Sequence, residues 1–400
     1  MPDRHSRNTV RYYILIVILL VFFFFTSDFG LIDVQKTAIV TAVGIDREEE
    51  EFILTSQIAI PKSSSQGKTT ESVQLVSRGK TIADAFEEIN TKTGWYPKLV
   101  FCKLIILGEN MAQENVFDAL DFFLLDEYLT DNCQVTVCEG LAKDILNVSA
   151  LFDPSSGVAI GKILSAHAER VGTVHPTSLK DFAIGHFGES KSALLPVLQT
   201  QPQQEAIPSS ANGQGEQTGE QTSPQEKQNN EKPVFSARKT ALFVGGKWLG
   251  TLNAEETFAV NAATGKLRLA NYSVENADGS CTLVVKRNAP KIKLSVGKEG
   301  QGRLDIQLTM TAGVSDFSKA LGLTDLRDGG DIPDGVFASA EKKLASELIT
   351  AYEKARAVGC DVFGLGERLV KYKNRSYHKF LDGILENTAV TATVHFVGVR

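Results

Sequence analysis

Apolar and polar positions divide the chain into three regimes. An uninterrupted apolar run reaches from Tyr12 to Phe25, directly behind Arg4, Arg7 and Arg11. Residues 33–200 then mix two spacings, alternation with a period of two and recurrence at three and four. A polar interval at 201–233 interrupts this mixture, which resumes over 234–400.

Within the first mixed stretch, Thr37–Asp46 reads TAIVTAVGID. After the charged turn Arg47–Glu50 comes FILTSQIAI, with Phe52, Leu54, Ile58 and Ile60 on one face, which predicts a hairpin. Thr81 caps a predicted helix in which Ile82, Ala85, Phe86 and Ile89 recur at helical spacing. Leu99–Gly108, LVFCKLIILG, is a nearly continuous apolar run suited to the centre of a sheet. A helix over Val116–Leu125, a strand QVTV and a short helix over Leu141–Leu146 follow. Residues 157–200 read as two more helices and an extended LLPVLQ segment. Strands alternating with helices imply a mixed sheet with helical cover.

The second mixed stretch opens on another hairpin, KTALFVGG and KWLGTL, turning at Gly245 and Gly246. Strands are predicted at Leu267–Tyr272, Cys281–Val285, Ile292–Val296 and Leu304–Met310. The strongest helix pattern runs over Val336–Val358, where Phe337, Ala340, Leu344, Leu348, Tyr352 and Ala355 form an apolar stripe and Gly359 stops it. In the closing strand Ala389–Val397, Val390, Ala392, Val394 and Phe396 point one way and Thr391, Thr393 and His395 the other.

These patterns predict an α+β protein: a multi-domain, mixed α/β ectodomain with antiparallel and mixed sheets and packed helices, behind an N-terminal transmembrane helix. Residues 1–11 are expected in the cytoplasm, because arginines hold the short N-terminal side there and Asp28 and Asp33, with no early basic cluster, lie just past the run. Residues 12–32 form a transmembrane anchor or signal segment. No A-x-A-like site follows the run, Phe24 and Thr26 being the nearest candidates, which favours an uncleaved anchor. The first cysteine is Cys102, which closes the route of lipid attachment just after the run. An N-terminal α/β region spans 33–200, divisible into 33–150 and 151–200, and a C-terminal α+β domain spans 234–400. Between them 201–233, rich in Gln, Glu, Ser, Gly and Pro, has too little apolar content to offset the entropy of ordering and is expected to be a disordered linker.

Composition narrows the function classes. With 400 residues, 42% of them hydrophobic, the chain can build two or three ordinary domains. A net charge of -6 argues against nucleic acid as a partner. Five cysteines are too sparse for a disulfide framework, and Cys133 and Cys138, on either side of QVTV, project to opposite faces and read as buried thiols.

Local catalytic motifs are missing: there is no G-x-S-x-G, no H-E-x-x-H and no P-loop. Gly359…Gly364-Leu365-Gly366 lacks dinucleotide-binding spacing and reads as a turn between two helices. His167, His175 and His186 are eight and eleven residues apart, whereas paired ligands on a helix sit three or four apart, so they read as solvated or locally bonded. His395 lies on the polar face of its strand. Glu48–Glu51 lacks the interleaved spacing of a calcium loop and reads as a solvated hairpin turn. Trp95 and Tyr96, in the loop TGWYPK, admit two readings, contact anchors or half-buried packing. The residues nominate no catalytic, cofactor-binding, metal or lipidation site, and no cofactor.

TAIVTAVGID and its hairpin partner ending in IP resemble the start of the mature C subunit of spore germinant receptors, the Ger(x)C family. The resemblance continues through RGKTIADAFEEI, KLVFCKLIILGENMA, FDALDFFLLDEYLTDNCQVTVCEGLAKDIL, SLKDFAIGHF and LLPVL. It resumes at KTALFVGGKWLGTLNAEET, and from Phe337 through CDVFGLGERLVKYKN to VTATVHFVGV. It implies a non-enzymatic subunit on the outer side of the spore inner membrane. That subunit would be single-pass with a cytoplasmic N-terminus, assembled with A-type and B-type membrane subunits and needed for receptor assembly or signalling. Direct contact with a small molecule is left open. Family members normally carry a lipidated cysteine, and Thr26-Ser27-Asp28-Phe29-Gly30 occupies that place here. The linker 201–233 is a second departure, and Tyr377 and Phe380, where relatives tend to carry tryptophans, are a third. Two other classes stand beside this reading: an extracytoplasmic enzyme acting on wall polymer, which needs paired carboxylates, and a membrane-tethered binding module unrelated to germination.

Overall fold

The computed structural model describes residues 12–21, 37–64, 67–150, 152–165, 168–201, 234–276, 279–317 and 334–399. Strands β1 (Thr37–Glu48) and β2 (Glu51–Ser64) make the expected hairpin, with Glu48 opposite Glu51 across the acidic turn. Glu48 is held there by Arg78 at 3.0 Å. Strand β3 (Gly67–Gly79) adds a third antiparallel strand that its polar sequence did not announce. On the other side of β1 run β4 (Tyr96–Lys98) and β5 (Leu104–Leu107), both parallel to it, then β6 (Gln134–Cys138) and β7 (Ser192–Gln201). The antiparallel strands β8 (Val234–Val244) and β9 (Lys247–Leu252) complete the sheet, whose main path is β3-β2-β1-β5-β6-β7-β8-β9.

Two readings change at this point. The apolar run Leu99–Gly108 is not one strand. Cys102 N–H closes a turn on Leu99 O at 2.8 Å, and only Leu104–Leu107 lies in the sheet. The polar interval 202–233 lies outside the described residues, but its two ends are neighbours: Gln201 pairs with Val234, so one sheet carries strands from both sides of the interval. The β8–β9 turn is the expected one, with Gly245 and Gly246 both at positive φ, as a two-residue hairpin of this hand requires.

Helix α1 covers 12–21. Helices α2 (Ile82–Thr93), α3 (Glu109–Gln113), α4 (Phe117–Leu125) and α8 (Leu179–Phe187) cover one face of the sheet, and α5 (Ala142–Asn147) and α6 (Ser156–Leu164) the other; α7 (Ala168–Val171) is a single turn. Thr81 Oγ1 caps α2 by accepting from Asp84 N–H, and Ile82, Ala85, Phe86 and Ile89 are its buried face. Cys133 falls in the core on one side of the sheet and Cys138 in the core on the other, as their odd spacing requires. Asp46, the last residue of TAIVTAVGID, is buried and accepts from Ala142 N–H at 2.7 Å and Lys143 N–H at 3.0 Å, so this carboxylate fastens the start of α5.

The second sheet has the order β10 (Ala270–Asn276), β11 (Gly279–Val296), β12 (Gly302–Phe317), β13 (Thr388–Gly398). The two short strands expected at 281–285 and 292–296 are one long β11. Strand β13 is parallel to β12 and alternates as read, with Val394 and Phe396 buried and Thr391, Thr393 and His395 exposed. Helix α9 (Ala254–Thr264) was not expected. Helix α10 (Asp334–Ala357) buries Ala340, Leu344, Leu348, Tyr352 and Ala355, and Phe337 packs at the margin of that core. Gly359, at φ 78°, ends the run and leads into α11 (Leu365–Tyr372). The result is a mixed α+β protein with two sheets and several helices.

The expected transmembrane segment is not seen as such. Helix α1 covers only part of 12–32, the remainder lies outside the described residues, and among those described no helix is long and apolar enough to cross a membrane.

Candidate functional site: the buried joint between the two sheets

Helix α9 packs against strands of both sheets and against α10. Its sequence begins with a capping box: Asn253 Oδ1 accepts from Glu256 N–H at 2.8 Å, and Glu256 Oε2 accepts from Asn253 N–H at 2.9 Å. The other oxygen of Glu256 receives Lys354 of α10 at 2.6 Å. Toward the first sheet, Thr257 hydrogen-bonds Thr240 of β8 at 2.9 Å. Toward the second, Phe258 stacks on Tyr272 of β10 with centroids 4.9 Å apart, and Asn288 of β11 donates to Ala262 O at 2.7 Å.

A polar lock closes the same joint from the loop before α8. Asn261 is fully buried, and its Nδ2 donates to Gly172 O at 2.8 Å and Val174 O at 2.9 Å. Its Oδ1 lies 2.6 Å from His175 Nδ1, and Lys266 Nζ lies 3.1 Å from His175 Nε2. An ammonium only donates, so Nε2 is the acceptor and Nδ1 carries the proton given to Asn261. Burial first, then the Lys266 charge, pushes the His175 pKa down to about 3, against a weaker upward pull from Asn261. The imidazole is therefore held neutral, each nitrogen occupied.

The second fastening is the D-V-F-G-L-G turn. Asp361 N–H donates to Ser192 Oγ at 2.9 Å, joining this turn to the start of β7. Gly366 N–H donates to Asp361 Oδ2 at 2.9 Å, so the carboxylate fastens the start of α11 as Asp46 does α5. Burial raises the Asp361 pKa, opposed by backbone N–H groups of Leu365 and Gly366. Glu367 Oε1 accepts from Ser190 N–H at 3.2 Å and Ser190 Oγ at 2.9 Å. Cys360 Sγ contacts Phe243 O of β8 at 3.6 Å. Gly364 takes φ 67°, which a side chain would resist.

The other residues weighed for chemistry are dispersed. The neighbouring Cys102 side chain, then burial, pushes the Cys133 thiol up, and burial does the same for Cys138. Neither has the thiolate character of a nucleophile. His186 stacks on Phe117 with centroids 3.7 Å apart, and His395 faces Glu341 at 3.2 Å; His167 lies outside the described residues. An open groove of about 740 Å³ beside α9 and α10 contains Glu255, Glu256, Glu275 and Glu347. Burial pushes Glu347 up to about 7, and it accepts from Tyr272 Oη at 3.0 Å with Lys343 at 3.8 Å. Glu256 is committed to its cap and to Lys354. Trp95 and Tyr96, of the two readings open to them, are exposed, and Tyr96 belongs to β4 rather than to a loop. Of the joint residues, only His175, Gly364 and Gly366 were weighed for chemistry from sequence; the family motifs cover Asn253, Glu256, Thr257 and Cys360–Glu367 without indicating what they touch.

A two-sheet α+β protein fastened by a buried polar joint is the class these features define. Residues 31–200 match the "Spore germination protein N-terminal domain", and 238–397 match the "Spore germination B3/ GerAC like, C-terminal" domain. The chain belongs to the Ger(x)C family of spore germination proteins. Its fold is similar to that titled "Crystal Structure of the GerBC protein", at 16% identity and a TM-score of 0.52, over 90% of this chain and 97% of that one. At that identity the likeness is one of fold. No curated protein matches.

Proposed function

We propose that this chain is the non-enzymatic C subunit of a nutrient germinant receptor, held at the spore inner membrane by its N-terminal segment. Its N-terminus faces the cytoplasm and its bulk lies on the outer side, docked on A-type and B-type membrane subunits. The work is mechanical: contacts with partners bias the arrangement of the two sheets, and the joint carries that bias from one half to the other. The observation that supports the reading is the pair of family domains in order along the chain, meeting at a joint whose polar groups are spent on each other. Helix α1 adds support, since its apolar side chains from Tyr12 to Val21 all lie exposed, as a segment awaiting an apolar environment would. Deletion of the chain in a spore former tests the proposal. Nutrient-triggered germination should fail and return on complementation. Turnover of wall fragments by the purified chain, abolished by Glu347→Gln, would instead favour the enzyme.

A further inference from the structure

Four exposed aromatic side chains stand where the described chain resumes after its apolar run. Strand β4 lies parallel to the first residues of β1, with Tyr96 opposite Thr37 and Lys98 opposite Ile39. Trp95, which precedes β4, is 46% exposed, and Tyr96 is 41% exposed. Phe101, in the turn that follows, is 55% exposed and shares a cavity wall with Ile39 and Lys103. Tyr128 is 56% exposed and receives the Lys98 ammonium 4.7 Å from its ring centroid. All four therefore cluster round the first three residues of β1. What sets them apart is their grouping at one end of the sheet, since a contiguous aromatic patch suits an interaction surface better than single exposed side chains do.

The length of chain between the apolar run and β1 keeps this patch close to whatever holds that run. Twelve residue steps separate Phe25 from Thr37, a reach of at most about 40 Å even when fully extended. Thr37 cannot stray further than that from whatever holds the apolar run. Amphipathic rings with lysine stems at such a boundary match the side chains that sit at headgroup level. Charge is a minor part of the contact: Glu127 is exposed next to Tyr128, while Asp131 pairs with Lys180 at 3.1 Å rather than with the platform lysines.

We propose that Trp95, Tyr96, Phe101 and Tyr128 form a platform that rests on the headgroup layer of the bilayer, fixing the tilt of the first sheet over the membrane. This inference rests on the membrane-anchored reading given above. Zwitterionic lipid suffices for it, and salt should not release it.

The test uses the full chain mixed with phosphatidylcholine vesicles, with or without bromine on the acyl chains as a contact quencher. Flotation reports anchoring, and tryptophan emission reports the platform. The chain has two tryptophans, Trp95 and Trp248, so Trp95→Phe isolates the one at issue. The expected result is flotation, with brominated lipid lowering the emission of the native chain but not of Trp95→Phe. Flotation with equal emission in both vesicles overturns the platform, leaves anchoring standing and assigns the face to a protein partner. A chain that does not float overturns the anchored reading and the platform with it.

Discussion

Acidification from pH 7 to pH 5 is expected to weaken the fold by about 2 kcal/mol through His175 alone. Its folded pKa, about 3, lies below the ordinary 6.5, because the ring is enclosed and faces Lys266. A depressed histidine favours the neutral form in the folded state. Its contribution is complete above pH 6.5 and is lost progressively as pH falls toward 3. At pH 5 the unfolded chain has taken up this proton and the folded chain has not. The interval between 6.5 and pH 5, at about 1.36 kcal/mol per pH unit, gives about 2 kcal/mol. Glu347 acts in the opposite sense. Its pKa is raised from 4.5 to about 7, so its ionisation opposes folding near neutrality and that cost is relieved as pH falls. A single pH curve therefore mixes the two, and the assay must take a difference. Urea unfolding of the native chain and of His175→Gln, each at pH 7 and pH 5, isolates the imidazole. The native chain should lose about 2 kcal/mol more than the variant between the two pH values. Equal losses would refute the claim that the joint holds a neutral imidazole.

Other consequences follow from the same contacts. Asn261→Ala strands two backbone carbonyls and the His175 N–H, and should cost about 3 kcal/mol in urea unfolding. Asp46→Ala removes the acceptor for two N–H groups at the start of α5 and should cost about 1–2 kcal/mol by the same measurement. Deleting 206–229 shortens the connection between the paired residues Gln201 and Val234 to a quarter. By loop-closure entropy, stability should rise by about 1 kcal/mol, at about 0.6 per halving of length. A loss of stability would contradict the hairpin register across that interval.

Much of the architecture was legible because its signals are local. The β1–β2 hairpin, Thr81-capped α2, the α10 stripe and the alternation of β13 each rest on residues close together in the chain. Helix α9 was hidden for a physical reason. Glu256 through Ala263 are all buried, so the helix has no polar face and no amphipathic period. Only the capping box of Asn253 and Glu256 marked it. Strand β3 pairs along one side only, with β2, and its polar sequence carries no alternation. Strand β11 spans Lys286–Lys291 because, after a bulge at Lys286, the ladder with β12 resumes at Arg287 and continues through Lys291. The joint was illegible from sequence because its partners are distant in the chain: His175 with Asn261, and Ser192 with Asp361. The family resemblance located the D-V-F-G-L-G turn but not what it touches.

The most direct test of the central claim is nutrient-triggered germination of spores in which this gene is deleted and then restored. The account predicts that the deletion abolishes the response to the cognate nutrient, that the native chain restores it, and that the restored chain co-purifies from inner-membrane extracts with receptor membrane subunits. An unchanged response in deleted spores carrying no related copy would contradict it.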